Sequence, residues 1–128
     1  MKKLTMILLL VSSWKLVAQP STKFWRALHL VETRGKHGPI RGDNGRALGP
    51  LQIHRTYWVD SRVAGKYEDC ASLAYSIKVA SAYMRRYAST AWRDGNHQVL
   101  ARIHNGGPRG HKKKATIKYW NKVRKEMK

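Results

Sequence analysis

With 128 residues, 42% of them hydrophobic, the chain can build one compact core and is too short for two domains. Its 26 lysines and arginines against 7 acidic residues give a formal charge of +19, which directs the surface toward polyanions such as nucleic acid, anionic membranes or a bacterial envelope. A single cysteine excludes an internal disulfide, and six scattered histidines without a His-Glu-x-x-His pattern exclude the common zinc signatures, so neither a metal nor a cofactor is expected.

Residues 1–18 read as a signal peptide: Lys2 and Lys3 form a basic start, Leu4 to Val11 an apolar stretch too short to span a bilayer, and Ala18 a small residue suited to cleavage. Its removal takes away Lys2, Lys3 and Lys15 and leaves a formal +16 on residues 19–128, which are expected to form a single secreted or periplasmic domain, monomeric. Phe24, Ala27, Leu28 and Val31 then repeat at helical spacing behind Ser21 and Thr22 as cap candidates, with Gly35 beyond, predicting a helix that ends near Thr33. The glycine-rich stretch Pro39 to Pro50, with Asp43-Asn44-Gly45, suits turns at positive φ and predicts a small irregular hairpin, the one β region. Tyr57 and Trp58 fall on a short helix. Cys70, Leu73, Ala74, Ile77, Ala80, Met84 and Tyr87 draw an apolar stripe for a central helix opening at Glu68 and Asp69. Two more helices are predicted around Val99–Ile103 and Ile117–Val123, separated by a loop His104-Asn105-Gly106-Gly107-Pro108. The fold class is therefore α+β and mostly α.

Elimination among the seven acids is informative. Glu68 and Asp69 suit a helix start, Asp94 a turn, Glu126 a pair with Lys122, and Asp60 a pair with Arg62. Glu32 and Asp43 resist such roles. Glu32 sits in the last turn of its helix, where a negative charge opposes the macrodipole, and it follows Leu30 and Val31; both surroundings raise a carboxyl pKa. Asp43 lies eleven residues on, at the hairpin tip, from which a loop could face it back across a cleft. One carboxyl kept protonated and one ionised is the pair a glycosidase needs. By spacing alone a Glu at a helix end and an Asp in a turn are more often solvated than catalytic, so the context decides.

That context is an ordered series of blocks: Leu30-Val31-Glu32-Thr33-Arg34-Gly35, Leu48-Gly49-Pro50-Leu51-Gln52-Ile53, Tyr57-Trp58-Val59-Asp60, Tyr67-Glu68-Asp69-Cys70, Ala101 through His104-Asn105-Gly106-Gly107-Pro108 to Gly110, and Tyr119-Trp120-Asn121-Lys122. In this order they resemble the invertebrate-type (i-type) lysozymes, the family that includes destabilase. The resemblance implies a lysozyme-like fold, bacterial peptidoglycan as substrate and hydrolysis of the β-1,4 bond between N-acetylmuramic acid and N-acetylglucosamine. It matches Glu32 to the family's proton donor and puts Asp43 where a second carboxylate is expected. It also points to the stretch Ile53 to Val59 and to His104 for sugar contacts, giving Tyr57, Trp58, His104 and Asn105 as candidates, with only one of the two adjacent rings expected to touch substrate. The chain departs from the family in keeping Cys70 alone of its cysteines, so packing must replace disulfides.

Two other readings stay open. A Glu followed by a Gly-Pro-Leu-Gln-Ile block also suits a lytic transglycosylase, which uses one acid and releases an anhydro sugar. The charge, with the run His111-Lys112-Lys113-Lys114, also suits a non-enzymatic binder of the anionic cell envelope; no specific nucleic-acid partner is expected, since no recognised motif is present.

Overall fold

The structure, a computed structural model, describes residues 19–128; the signal-peptide expectation for residues 1–18 lies outside the described residues. Helix α1 (Thr22–Thr33) starts where the Ser21 backbone is extended and its hydroxyl accepts the Phe24 N–H at 3.2 Å. Phe24, Ala27 and Leu28 are fully buried, the two large side chains each contributing about 2 kcal/mol of apolar burial. The helix stops at Arg34, in the left-handed region at φ 55°, whose N–H closes on the Leu30 carbonyl while the Gly35 N–H closes on that of His29. Thr33 then donates its hydroxyl to Pro50 O at 2.9 Å and His29 Nε2 donates to Lys36 O at 2.7 Å, fastening the end of α1 to the sheet and to the following loop.

The β region is larger than a hairpin. Strands β1 (Arg41–Gly42), β2 (Ala47–Leu48) and β3 (Ile53–His54) form an antiparallel sheet in chain order, with Gly42 opposite Ala47 and Leu48 opposite Ile53. The third strand arises because Gln52 takes a left-handed φ of 52° and its N–H returns to Gly49 O at 3.0 Å, turning the chain back along β2. Gly49 is required there: its φ is +83°, and a Cβ would stand 1.8 Å from the Cys70 carbonyl oxygen.

Helix α2 (Arg55–Ser61) follows directly. The expected central helix is divided into a 3-10 turn (Tyr67–Ala71) and α3 (Leu73–Tyr87). Asp69 accepts the Lys66 N–H at 2.8 Å, and Ser72, extended at φ −88° and ψ 133°, accepts the Tyr75 N–H at 3.3 Å. Two caps in succession break the run, and the buried face of α3 is Ser76, Val79, Ala80, Tyr83 and Met84, rotated from the predicted stripe so that Ala74 is exposed. A short α4 (Ser89–Asp94) occupies the segment read as a turn, ending on Gly95 at φ 64°.

Helix α5 (His97–Gly106) runs through the middle with Leu100, Ala101 and Ile103 fully buried, and α6 (Thr116–Glu126) packs against both α5 and α1. His104 and Asn105, expected in a loop, are in the last turn of α5, where buried His104 continues the inward face of Leu100 and Ala101 before Gly107 ends the helix. Cys70 is fully buried and its thiol is pushed up to about 12, chiefly by burial, so it fills core space. Among the described residues no helix is long and apolar enough to cross a membrane.

Candidate active site

The end of α1, the sheet and the last turn of α5 enclose a cleft of about 440 Å³ lined by Glu32, Asp43, Ala47, Gln52, His54, His104 and Asn105. A second lobe, bounded by Tyr57, Tyr83 and Pro108, shares Gln52, His54, His104 and Asn105 with it, so the two form one groove. Both acids singled out in the sequence therefore line the same cavity.

Glu32 has a side chain 17% exposed. Burial pushes its carboxyl from 4.5 to about 7, against the opposing pull of a hydrogen bond from Tyr119 Oη to Oε1 at 2.7 Å. The Tyr119 hydroxyl is itself held well above its ordinary range by burial and by the neighbouring Glu32, so it remains the donor. Since Oε1 already accepts that bond, the carboxyl proton is left to Oε2. A half-protonated acid at neutral pH follows from placing the helix end over a partly enclosed cavity with one donor and no cation against it.

His104 does not supply that cation. Its Nε2 lies 3.0 Å from Leu51 O and its Nδ1 2.9 Å from Tyr57 Oη. A carbonyl only accepts, so Nε2 carries the hydrogen and Nδ1 accepts from the tyrosine. Burial depresses the imidazole to about 4, leaving it neutral at pH 7, and its 3.8 Å approach to Glu32 Oε1 is a contact between uncharged and acidic groups, not an ion pair. Tyr57 is fixed in turn by stacking on Tyr83, centroids 3.7 Å apart, so this wall of the groove is rigid.

Asp43 is differently placed. It opens the turn between β1 and β2 at φ 51°, followed by Asn44 at 56° and Gly45 at 82°, and this left-handed run holds its half-exposed carboxylate over the cleft. Arg46 Nη2 donates to Oδ1 at 3.1 Å and His54 Nε2 stands 3.2 Å from Oδ2. Gln52 completes the floor: its Nε2 donates to Gly49 O at 2.9 Å and Ile40 O at 3.2 Å, and its Oε1 lies where a Cβ on Gly42 would be.

Of the predicted sugar contacts, Tyr57 is 8% exposed and lines the groove, His104 is buried in its wall, and Asn105 is exposed at its edge. Trp58 lines neither lobe: its indole N–H donates to Tyr75 Oη at 2.9 Å and its ring tilts against Tyr67. Asp60 and Glu126 form none of the ion pairs expected of them, while Glu68 stands 3.8 Å from Arg55. Tyr119 and Gln52 have no role in the sequence reading, and His54 enters it only within the stretch Ile53 to Val59. Tyr119 meets Glu32 across 87 positions, a pairing no local pattern encodes; Gln52 and His54, polar groups around Ile53 in an otherwise apolar run, were a visible signal. No three metal-ligating side chains gather among the described residues.

The family model described as Destabilase matches residues 27–126. A lysozyme of Ostrea edulis is 37% identical over 87 residues, covering 65% of this chain and 64% of its own length, and one of Meretrix lusoria is 42% identical over 81 residues, covering 62% and 66%. The chain thus spans just under two thirds of these curated relatives. Among solved structures, inhibitor-bound lysozyme from Meretrix lusoria superposes with a TM-score of 0.71 at 34% identity over 83% of this chain and 89% of that one. Tapes japonica lysozyme gives 0.71 and 34% over 84% and 94%.

Proposed function

The chain belongs to the destabilase family of invertebrate-type lysozymes, and from that premise we propose that it hydrolyses the β-1,4 bond between N-acetylmuramic acid and N-acetylglucosamine in bacterial peptidoglycan. The observation that carries this reading is Glu32, a carboxyl about half protonated at neutrality, in a groove that also holds the Asp43 carboxylate.

In the proposed reaction the proton on Glu32 Oε2 passes to the glycosidic oxygen as the bond to the anomeric carbon breaks. Asp43, oriented by Arg46 and His54, faces the positive charge that develops on the sugar. Water then adds to the anomeric carbon and Glu32 recovers a proton from it, closing the cycle without any outside reagent. Gln52 and Asn105 offer amides, and Tyr57 an aromatic edge, to the N-acetyl groups and faces of the sugars. His104 acts as a fixed neutral wall. Trp58 is left out of the substrate contacts because its indole is committed to Tyr75.

Residues 19–128 are proposed to be the exported, monomeric catalytic domain, docking on anionic walls by charge. Lysis of purified, protein-free walls by residues 19–128, beside Glu32→Gln and Asp43→Asn, tests the assignment. Loss of turnover in both variants, with wall binding kept, supports two working carboxylates; full lysis by Glu32→Gln leaves only a cationic binder, and full turnover by Asp43→Asn points to a transglycosylase.

A further inference from the structure

Beside the sheet, sharing His54 with the groove, is a second pocket of about 330 Å³ whose walls include Arg41, Arg46, Arg55 and Tyr67. Tyr67 is 3% exposed, and its hydroxyl donates to Ile53 O at 2.6 Å, so the ring is immobile. Both Arg55 and Arg41 lie over it, with guanidinium carbons 4.6 and 5.9 Å from the ring centroid. One rigid ring therefore carries two like charges at the wall of a single pocket. Nearby acids do not neutralise them: Arg41 has no carboxylate within 4 Å among the described residues, Arg55 has only the loose, exposed Glu68 at 3.8 Å, and Asp43 is taken by Arg46 and His54. Guanidinium groups carry donors only, in a planar fork matched to an oxyanion, and two forks lining one pocket, Arg41 held only by the Gly45 carbonyl at 3.5 Å and Arg55 only by the loose Glu68 contact, favour one.

We propose that this pocket is an anion subsite adjoining the catalytic groove, and that it takes an oxyanion attached to the glycan strand whose sugars occupy the groove. Two wall groups share that chemistry: a carboxylate of the peptide borne by muramic acid, and the phosphate of a teichoic polymer. Either would let the enzyme tell a decorated bacterial glycan from a neutral one. The inference rests on the glycan-cleaving reading for its ligand and on the pocket itself for its chemistry.

Its test uses three soluble glycans: chains with peptides but no teichoic polymer, the same chains stripped of peptide by an amidase with the lactyl carboxylates this uncovers capped as methylamides, and stripped, capped chains that keep their teichoic phosphate. Binding is measured by calorimetry on Glu32→Gln at fixed salt, with and without Arg41→Gln and Arg55→Gln together; turnover of the first two is followed separately on the wild type. Glu32→Gln is expected to bind at least one decorated chain about ten-fold more tightly than the bare one, and the arginine pair of changes to bring them within about two-fold without altering affinity for bare chains. Preference for the peptide-bearing chain identifies the carboxylate, and preference for the teichoic chain the phosphate. Absence of any preference, its survival in the arginine variant, or an equal loss on all three glycans overturns the subsite. If wild type cuts none of them while the binding preference holds and depends on the arginines, the subsite stands and the hydrolase reading falls.

Discussion

Replacing Tyr119 with Phe removes the one hydrogen bond that pulls against the burial of Glu32 and leaves the ring in place. A hydrogen bond to a charged acceptor is worth about 1.5–3 kcal/mol and one to a neutral acceptor about 0.5–1.5 kcal/mol, so the bond favours the carboxylate by roughly 1.4 kcal/mol. At about 1.4 kcal/mol per pH unit, its loss raises the Glu32 pKa by about one unit above its value of about 7. If Glu32 is the proton donor, kcat/KM of the wild type falls as pH rises through about 7 and the same limb in Tyr119→Phe lies about one unit higher, making the variant relatively more active at pH 8. The assay is the pH profile of kcat/KM on soluble peptidoglycan fragments at constant ionic strength. A limb that stays in place or moves to lower pH refutes the assignment of Glu32 as the acid or of Tyr119 as its modulator.

Stability should follow the same groups. A carboxyl raised from 4.5 to about 7 in the folded protein contributes stability that is complete below 4.5 and lost as pH rises through 7, so Glu32→Gln should gain on wild type by about 3 kcal/mol between pH 4.5 and 8, roughly 10 °C in Tm; a constant difference in Tm would contradict the burial account. His104 runs the other way: an imidazole lowered from 6.5 to about 4 stabilises fully above 6.5 and loses that contribution as pH falls toward 4, so the deficit of His104→Gln, seen in thermal melts at pH 7, should shrink at pH 4.5 and not widen. Gly49→Ala combines a positive φ with a clash on the Cys70 carbonyl and should lower stability by at least about 3 kcal/mol in denaturant titrations; a change below about 1 kcal/mol would mean the β2–β3 turn is not built as described.

What the sequence disclosed was set by range. Helix α1, with Ser21 as its cap, and helices α5 and α6 were visible because apolar residues three and four positions apart over one or two turns are a local signal. Strand β3 is two residues long and α4 six, too short for any period, and the break at Ser72 depends on caps that only the folded backbone reveals. Glu32 stood out because its position at a helix end behind Leu30 and Val31 is written locally. Its contacts did not: Tyr119 reaches it from α6 with no local signal, and His104, singled out only through the resemblance, reaches it from α5 with a tautomer fixed by Leu51 and Tyr57 far along the chain. Trp58 illustrates the converse: an aromatic beside Tyr57 looks equally suited to sugar, and only the rotation of α2 sends one ring to the groove and the other to Tyr75.

The most direct measurement is mass spectrometry of fragments released from purified peptidoglycan by residues 19–128 in water enriched in heavy oxygen. Reducing muramic acid ends that carry the heavy isotope, formed by wild type and absent with Glu32→Gln, are the result this account predicts. Unlabelled 1,6-anhydro ends, or labelled ends formed equally well without the Glu32 carboxyl, would contradict it.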